Sequence, residues 1–319
     1  MGIGAADSVA TMLAGTPGER AVPFGSNSLQ HGTAVFEGIR CYRDGAGSTA
    51  FRLDDHLRRL LDSARALGVE HHYDLAGLRA EVLCAVAESG LADAYVRPVL
   101  YTPQPRLGVD LRSFEFALGV EIWAAESEAG EVAAAGRPVR LTISPWRRPG
   151  RSSFPVGTKA TGLYALSALA KTHAVEEGYD DAVQLDPDTG LVAEATIANV
   201  FLVRDGVVRT PSRAESLLPG ITRDSVLILA AELGYPVAET PVEPAELTTA
   251  DEVFLTGTAI GLQPVAAVGE HTFDPDRPVF TTLHAAYRDA ARGRRPVPPG
   301  WRTPIPAQAV TGAGPRGER

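Results

Sequence analysis

Phe154-Pro155-Val156-Gly157-Thr158-Lys159-Ala160-Thr161-Gly162-Leu163-Tyr164 is the stretch on which the reading of this chain turns. Small residues flank Lys159 on both sides, so a bulky planar group can approach its amine closely. Desolvation in such a place lowers the pKa of an ammonium and makes the amine a usable nucleophile toward a carbonyl. A surface lysine at a helix start is the plainer alternative, and composition weighs against it. The 319-residue chain has only two lysines, Lys159 and Lys171, among 30 Lys and Arg residues, so general positive charge is left to arginine. An amine that forms a Schiff base is a role arginine cannot fill.

Working outward from Lys159, the pattern predicts a helix over 163–177 and short strands over 182–185, 191–195 and 200–203. Asp205-Gly206 follows as a hairpin turn before Val207-Val208. An amphipathic helix over 222–233 stops at Gly234, and a strand over 253–256 ends in the small-residue turn Gly257-Thr258-Ala259. A strand over 139–144 opens this unit. Upstream, strands are predicted over 33–42, 49–53, 95–102 and 114–124. Leu53, Leu57, Leu60, Leu61, Ala64 and Leu67 recur at helical spacing, with Asp54 or Asp55 as cap and Gly68 as stop, and 75–88 is a second helix.

The expected organisation is a poorly ordered start over 1–25, a small α/β domain over 26–125 and a linker over 126–137 rich in Gly, Glu and Ala. A larger domain over 138–293 and a flexible Pro-, Gly- and Arg-rich tail over 294–319 complete it. Two α+β domains with the chemistry between them is the plain reading.

Three further constellations bear on that chemistry. Leu218-Pro219-Gly220-Ile221-Thr222-Arg223-Asp224 opens a helix whose free N–H groups and dipole suit a phosphate. Many helices begin this way and bind nothing. Glu194 sits between two apolar strand-like pieces, where a carboxylate needs a cationic partner or else faces solvent at a strand end. Arg59 lies opposite the leucine stripe of its helix, pointing into water or across a cleft.

The bulk properties remove other classes of function. Hydrophobic residues make up 45% and charged residues 22%, as in ordinary globular proteins, and a net charge of −9 argues against nucleic acid or an anionic membrane as partner. Arg137 to Arg151 is the richest basic cluster, but Pro138, Pro145 and Pro149 interrupt it, and it reads as a loop. Cys41 and Cys84 offer neither a disulfide framework nor metal-ligand spacing, and no apolar run approaches the roughly 20 residues of a membrane helix. With no secretory pattern at the start, a cytoplasmic location is expected.

In this order the blocks resemble the branched-chain amino acid aminotransferase family, over about residues 27 to 270. The stretches that carry the resemblance are His31-Gly32-Thr33-Ala34-Val35-Phe36-Glu37-Gly38-Ile39-Arg40, Phe51 to Leu60, Tyr95-Val96-Arg97-Pro98, Lys159 to Tyr164, Glu194 to Phe201, Leu218 to Asp224, and Asp251-Glu252-Val253-Phe254 running into Thr256-Gly257-Thr258-Ala259. The resemblance implies the two-domain fold called type IV among pyridoxal-phosphate enzymes, the fold of D-amino acid aminotransferase, with the cofactor between the domains. It implies a class IV aminotransferase exchanging an amino group between an amino acid and a 2-oxo acid, working as a homodimer whose segment 105–109 completes the neighbour's pocket.

Residue by residue, the resemblance makes Lys159 the Schiff-base lysine and the carrier of the proton. Glu194 would pair with the pyridine nitrogen and Tyr164 with the phenolic oxygen. Arg59, the N–H groups of Ile221 and Thr222, and Thr258 would hold the phosphate of pyridoxal 5′-phosphate. Phe36, Gly38, Tyr95 and Arg97 would line the substrate pocket, with the N–H groups around Thr258-Ala259 on the α-carboxylate. At His31 members usually carry Tyr, 122–130 lacks a further pocket Tyr, and Glu194 is followed by Ala-Thr-Ile-Ala-Asn rather than a glycine-rich run. These departures touch the substrate side and leave the cofactor residues intact. Alternatives on the same fold are an aminodeoxychorismate-lyase-like elimination and transamination of D-amino acids or amines. A different class would be an inactive cofactor-binding homologue.

Overall fold

A computed structural model describes residues 10–13, 16–17, 21–45, 47–125 and 137–306. Among these residues the chain forms two sheets. The first takes β1 Ala10–Leu13, β2 Thr16–Pro17, β3 Val35–Phe36, β4 Ile39–Asp44, β5 Gly47–Phe51, β6 Ala94–Tyr101 and β7 Ala117–Ala124. The second takes β8 Val139–Ile143, β9 Asp181–Leu185, β10 Val192–Ala195, β11 Asn199–Arg204, β12 Val207–Pro211, β13 Val237–Thr240, β14 Glu252–Gly257, β15 Gly261–Val268 and β16 His271–Thr272. A last strand, β17 Arg302–Pro304, returns to the edge of the first sheet.

The first sheet is antiparallel, in the order β17-β5-β4-β6-β7-β1-β2 with β3 on β6. Its core holds Ile39, Val96, Leu118 and Ile122 against two helices, α2 Leu53–Leu67 and α3 Leu75–Ser89; a short α1, Asn27–His31, precedes them. The leucine stripe is buried as its spacing predicts: Leu53, Leu57 and Leu60 are fully enclosed. Burying a side chain of that size is worth about 1.5–3 kcal/mol.

The second sheet mixes parallel and antiparallel pairs in the order β10-β9-β8-β15-β14-β11-β12-β13, with β8 parallel to both β9 and β15. Such parallel neighbours require crossovers, and α4 Tyr164–Glu176 supplies the one between β8 and β9. Helices α5 Ile221–Glu232 and α6 Pro278–Ala291 close over Phe201, stacked on Phe254 with ring centroids 5.0 Å apart. Asp205 and Gly206 both take positive φ between β11 and β12, as a two-residue hairpin with this twist demands.

Three expectations change and a fourth is untested. The start is not without order throughout, because β1 pairs with β2 and β7; the remainder of 1–20 lies outside the described residues. The linker expected over 126–137 falls almost wholly outside them too. The tail beyond 293 is held as far as 306: Trp301 is 4% exposed, packs edge-on against Phe51 and leads β17 onto β5. One large buried aromatic outweighs a composition of Pro, Gly and Arg. Neither Asp54 nor Asp55 caps α2, which starts at Leu53 behind a left-handed Arg52.

Arg52 holds that uncommon backbone because its surroundings determine it. Its N–H donates to the Trp301 carbonyl, its guanidinium donates to Ser225 and Asp224 of α5 at 2.9 Å, and its flat face lies over the Trp301 ring. The start of α2 is thereby tied to the first turns of α5, and this tie sets Arg59 beside Gly220.

Candidate active site

The Lys159 segment runs between the sheets and is clamped at its backbone. Phe36 N donates to Lys159 O at 3.0 Å, Thr161 N to Ala34 O at 2.9 Å, and Lys159 N to Ser63 Oγ of α2 at 3.1 Å. With the main chain fixed on both sides, the Lys159 ammonium reaches the Tyr164 hydroxyl at 2.8 Å and lies 4.9 Å from the centre of the Phe36 ring. Its pKa differs from the sequence expectation. Burial pushes it down, but the Tyr164 phenol and the Glu37 carboxylate outweigh burial and hold it above the ordinary lysine value. Desolvation lowers an ammonium pKa at any buried site, but the net direction follows the charged groups alongside, and here they win.

Lys159 opens onto a pocket that polar and charged side chains share with it. Arg59, Tyr164, Glu194, Ile221, Thr222 and Thr258 all line it. Glu194, on β10, is buried; its Oε1 meets Arg148 at 3.1 Å, and its Oε2 accepts from Asn199 Nδ2 and Leu218 N at 3.2 Å each. Burial pushes its carboxyl pKa up, and Arg148, the Leu218 N–H, Lys159 and Arg59 pull it back only in part.

The N-terminus of α5 packs closely on β11: a Cβ at Gly220 would lie 2.0 Å from Asn199 Oδ1, so glycine lets the chain pass without displacing Asn199. Arg59 is not a solvent residue. Its Nε and Nη2 grip Glu37 at 2.6 and 2.8 Å, and its Nη1 donates to Pro219 O at 2.9 Å. Three of its five N–H bonds are thus engaged and two remain. Glu37 is fully buried and also meets His56 Nδ1 at 2.7 Å.

The predicted pocket residues Phe36, Gly38, Tyr95 and Arg97 form one group next to Lys159. Phe36 and Tyr164 rings lie 5.0 Å apart, and the Arg97 guanidinium sits 5.2–5.5 Å from the rings of Phe36, Tyr95 and Trp123. Gly38 is obligatory, since a Cβ there would lie 2.2 Å from the Tyr95 hydroxyl. This group lies beside the cavity rather than in its lining, and two further predicted residues stand apart from both. His31 is exposed at the end of α1, bonded to Asn27, and Ala259, half-buried, is not in the lining.

Sequence reasoning missed Arg148, Glu37, Asn199, Trp123 and Thr256. Arg148 lay in the basic cluster read as a loop, and a signal existed: a buried Glu194 requires a cation. Thr256 carries a buried hydroxyl with no hydrogen-bond partner among the described residues, and it lines the same cavity.

The family model "Amino-transferase class IV" matches residues 34–268. A probable branched-chain-amino-acid aminotransferase of Synechocystis sp. is 37% identical over 290 residues, covering 88% of this chain and 91% of the relative. A branched-chain-amino-acid aminotransferase of Pseudomonas aeruginosa is 33% identical, over 87% and 90% of the two chains. Among solved structures, the branched-chain aminotransferase of Thermoproteus uzoniensis with norvaline superposes with a TM-score of 0.87 at 34% identity, over 94% of this chain and all of that one. The branched-chain amino acid aminotransferase of Thermobaculum terrenum in its PLP-bound holo-form gives 0.86 at 30%, over 94% and 99%. Sequence, fold and the lysine-centred cavity agree, and the chain belongs to the class IV aminotransferases.

Proposed function

We propose that the protein is a pyridoxal 5′-phosphate-dependent aminotransferase that moves an amino group between a branched-chain or related L-amino acid and a 2-oxo acid. The observation that carries this reading is the Lys159 amine at 2.8 Å from the Tyr164 hydroxyl, in one cavity with the Glu194 carboxylate and the N-terminus of α5. The donor set fits the cofactor. The N–H groups that open α5 at Ile221 and Thr222 lie in the cavity lining, Arg59 keeps two free N–H bonds, and the orphaned Thr256 hydroxyl gains an acceptor.

When bound, pyridoxal 5′-phosphate supplies an aldehyde for the amine and a ring that takes up the electrons left on carbon as a proton departs. The remainder is the work of the chain. The N–H groups of Ile221 and Thr222, with Arg59 and Thr258, would hold the phosphate. Glu194 would pair with the ring nitrogen, and Tyr164 would donate to the phenolic oxygen. Lys159 Nζ takes the proton from the substrate α-carbon as a general base. Phe36, Gly38, Tyr95 and Arg97 line the substrate side. Arg97 Nε is buried without a hydrogen-bond partner, which suits a carboxylate, and the N–H groups near Thr258 and Ala259 suit a second one.

The test is the visible absorption of the purified protein on addition of L-leucine, L-glutamate and other amines one at a time. A cofactor band absent in Lys159→Ala, and bleached by L-leucine with release of the 2-oxo acid, is the expected result. A band that no amine changes would sink the reading.

We also propose that the working unit is a homodimer. Phe24, Leu107 and Val109 are 80–84% exposed, and their two loops are joined through the Ser26–Pro105 bridge and the Asn27 Nδ2 to Gly108 O bond of 2.6 Å. A braced apolar projection of this kind suits burial against a second copy. Sedimentation should show a dimer that Val109→Asp weakens. A cytoplasmic location fits the free thiols of Cys41 and Cys84; no helix among the described residues is long and apolar enough to cross a membrane.

A further inference from the structure

We propose that Arg148 is a positioning residue that keeps the Glu194 carboxylate anionic and aimed at the cofactor's ring nitrogen, so that the shared proton resides on the nitrogen. The proposal rests on the role given to Glu194 above and deepens it.

The geometry begins with what surrounds Glu194. Two neutral donors, Asn199 Nδ2 and Leu218 N, hold Oε2, while Oε1 has Arg148 Nη2 at 3.1 Å as its contact. Arg148 is therefore the full positive charge in contact with the carboxylate; Lys159 and Arg59 act on it from farther away. Both side chains are buried, at 5% and 8% exposure, so solvent screens the pair little. Neutral donors alone offset little of the cost of burying a carboxylate as an anion, whereas a contacting cation offsets more of it.

Arg148 is itself fixed. Its backbone N–H donates to Leu185 O at 3.1 Å, and its Nε donates to Ser216 O at 3.1 Å. The guanidinium thus stands on one carbonyl and grips the carboxylate with another arm. A lysine has no fork with which to do both. A proton shared between Glu194 and a ring nitrogen sits where the charges favour it. Because Arg148 is in direct contact with the carboxylate, it favours carboxylate and pyridinium over two neutral partners. Without it, burial pushes the carboxyl further up and the proton shifts to Glu194. The ring would then be a weaker acceptor of electrons.

The experiment uses holoenzyme loaded with pyridoxal 5′-phosphate labelled with ¹⁵N in the ring, whose resonance separates protonated from neutral pyridine. The wild type should show a protonated nitrogen. Arg148→Met should move the resonance to the neutral range and lower kcat about ten- to hundredfold, the size of one lost charged hydrogen bond, with KM changed far less. Arg148→Lys should restore much of the protonated signal. If Arg148→Met does not fold, Arg148→Gln keeps a donor for Ser216 O without the charge and makes the same test. A protonated nitrogen that survives in the charge-free variants overturns this proposal alone. A neutral nitrogen in the wild type removes the reading of Glu194, and this proposal with it.

Discussion

The cavity has a wall built from β10, α5 and the Lys159 segment, and beside it, reached through Phe36 next to Lys159, lies a second wall built from β3, β4 and β6. On the first, charges come in closed pairs: Glu194 with Arg148, and Arg59 with Glu37 where the walls meet. On the second, Arg97 is a cation held among three aromatic rings, with its Nε unpartnered. Closed pairs suit a guest that stays, because its site must survive every turnover with its groups aligned. An unsatisfied donor suits a guest that comes and goes, because each arrival supplies the missing acceptor and each departure returns the group to its rings.

Removal of the group common to both walls should give the largest effect. Lys159→Ala should lower turnover by about 10⁴-fold or more, at the upper end for a proton-transfer group, with the melting temperature little changed, as single-turnover kinetics and calorimetry would show. If the rate falls by less than tenfold, another base serves and the first wall has been misread.

Next in size is the pair where the walls meet. Burial pushes the Glu37 carboxyl up, but Arg59 and His56 outweigh it and hold the group well below the ordinary carboxylate range. A carboxylate with a depressed folded pKa stabilises the fold above its unfolded value near about 4.3, and that contribution fades as pH falls below it. Glu37→Gln should therefore cost about 3–5 kcal/mol at pH 7, as for a broken buried pair. Urea unfolding should find the gap from wild type narrowing steadily below about pH 4.3. A gap of equal size at pH 7 and pH 3 would show that charge is not its origin.

The substrate wall should respond differently. Arg97→Gln should reduce kcat/KM about ten- to hundredfold for substrates with a carboxylate facing this wall, and leave cofactor affinity as it was. Cofactor loss in that variant would erase the contrast between the walls. The smallest effect is expected at Thr256→Val, which removes the orphaned hydroxyl while keeping its shape. The Kd of pyridoxal 5′-phosphate should rise about five- to tenfold, one neutral hydrogen bond. Pyridoxal without its phosphate should bind as before, which makes the comparison specific to the phosphate end.

What could be read along the chain was what depends on near neighbours. The leucines of α2, the Asp205-Gly206 turn and the start of α5 follow from spacing and from residues within one or two turns. Scarcity drew attention to Lys159, and the order of the blocks carried the resemblance. Partners distant in sequence were hidden. Arg148 meets Glu194 across 46 positions, and Glu37 meets Arg59 across 22, through sheets whose closure no local pattern encodes. The lysine pKa was misjudged for the same reason, because its sign depends on which groups the fold brings alongside.

By itself, then, the sequence determined those elements that rest on local spacing and the family its blocks resemble, and it singled out Lys159 and the turn before α5 as candidates. Spacing, turn chemistry and residue type suffice for these, since the forces involved act over a few residues. Tertiary structure alone decided which charges are paired, which donors are left open, and that Trp301 anchors a tail that composition marks as flexible. Those outcomes depend on burial. The worth of a charge or a ring is set by the solvent it loses and by the partner it meets, and both exist only once the sheets have closed.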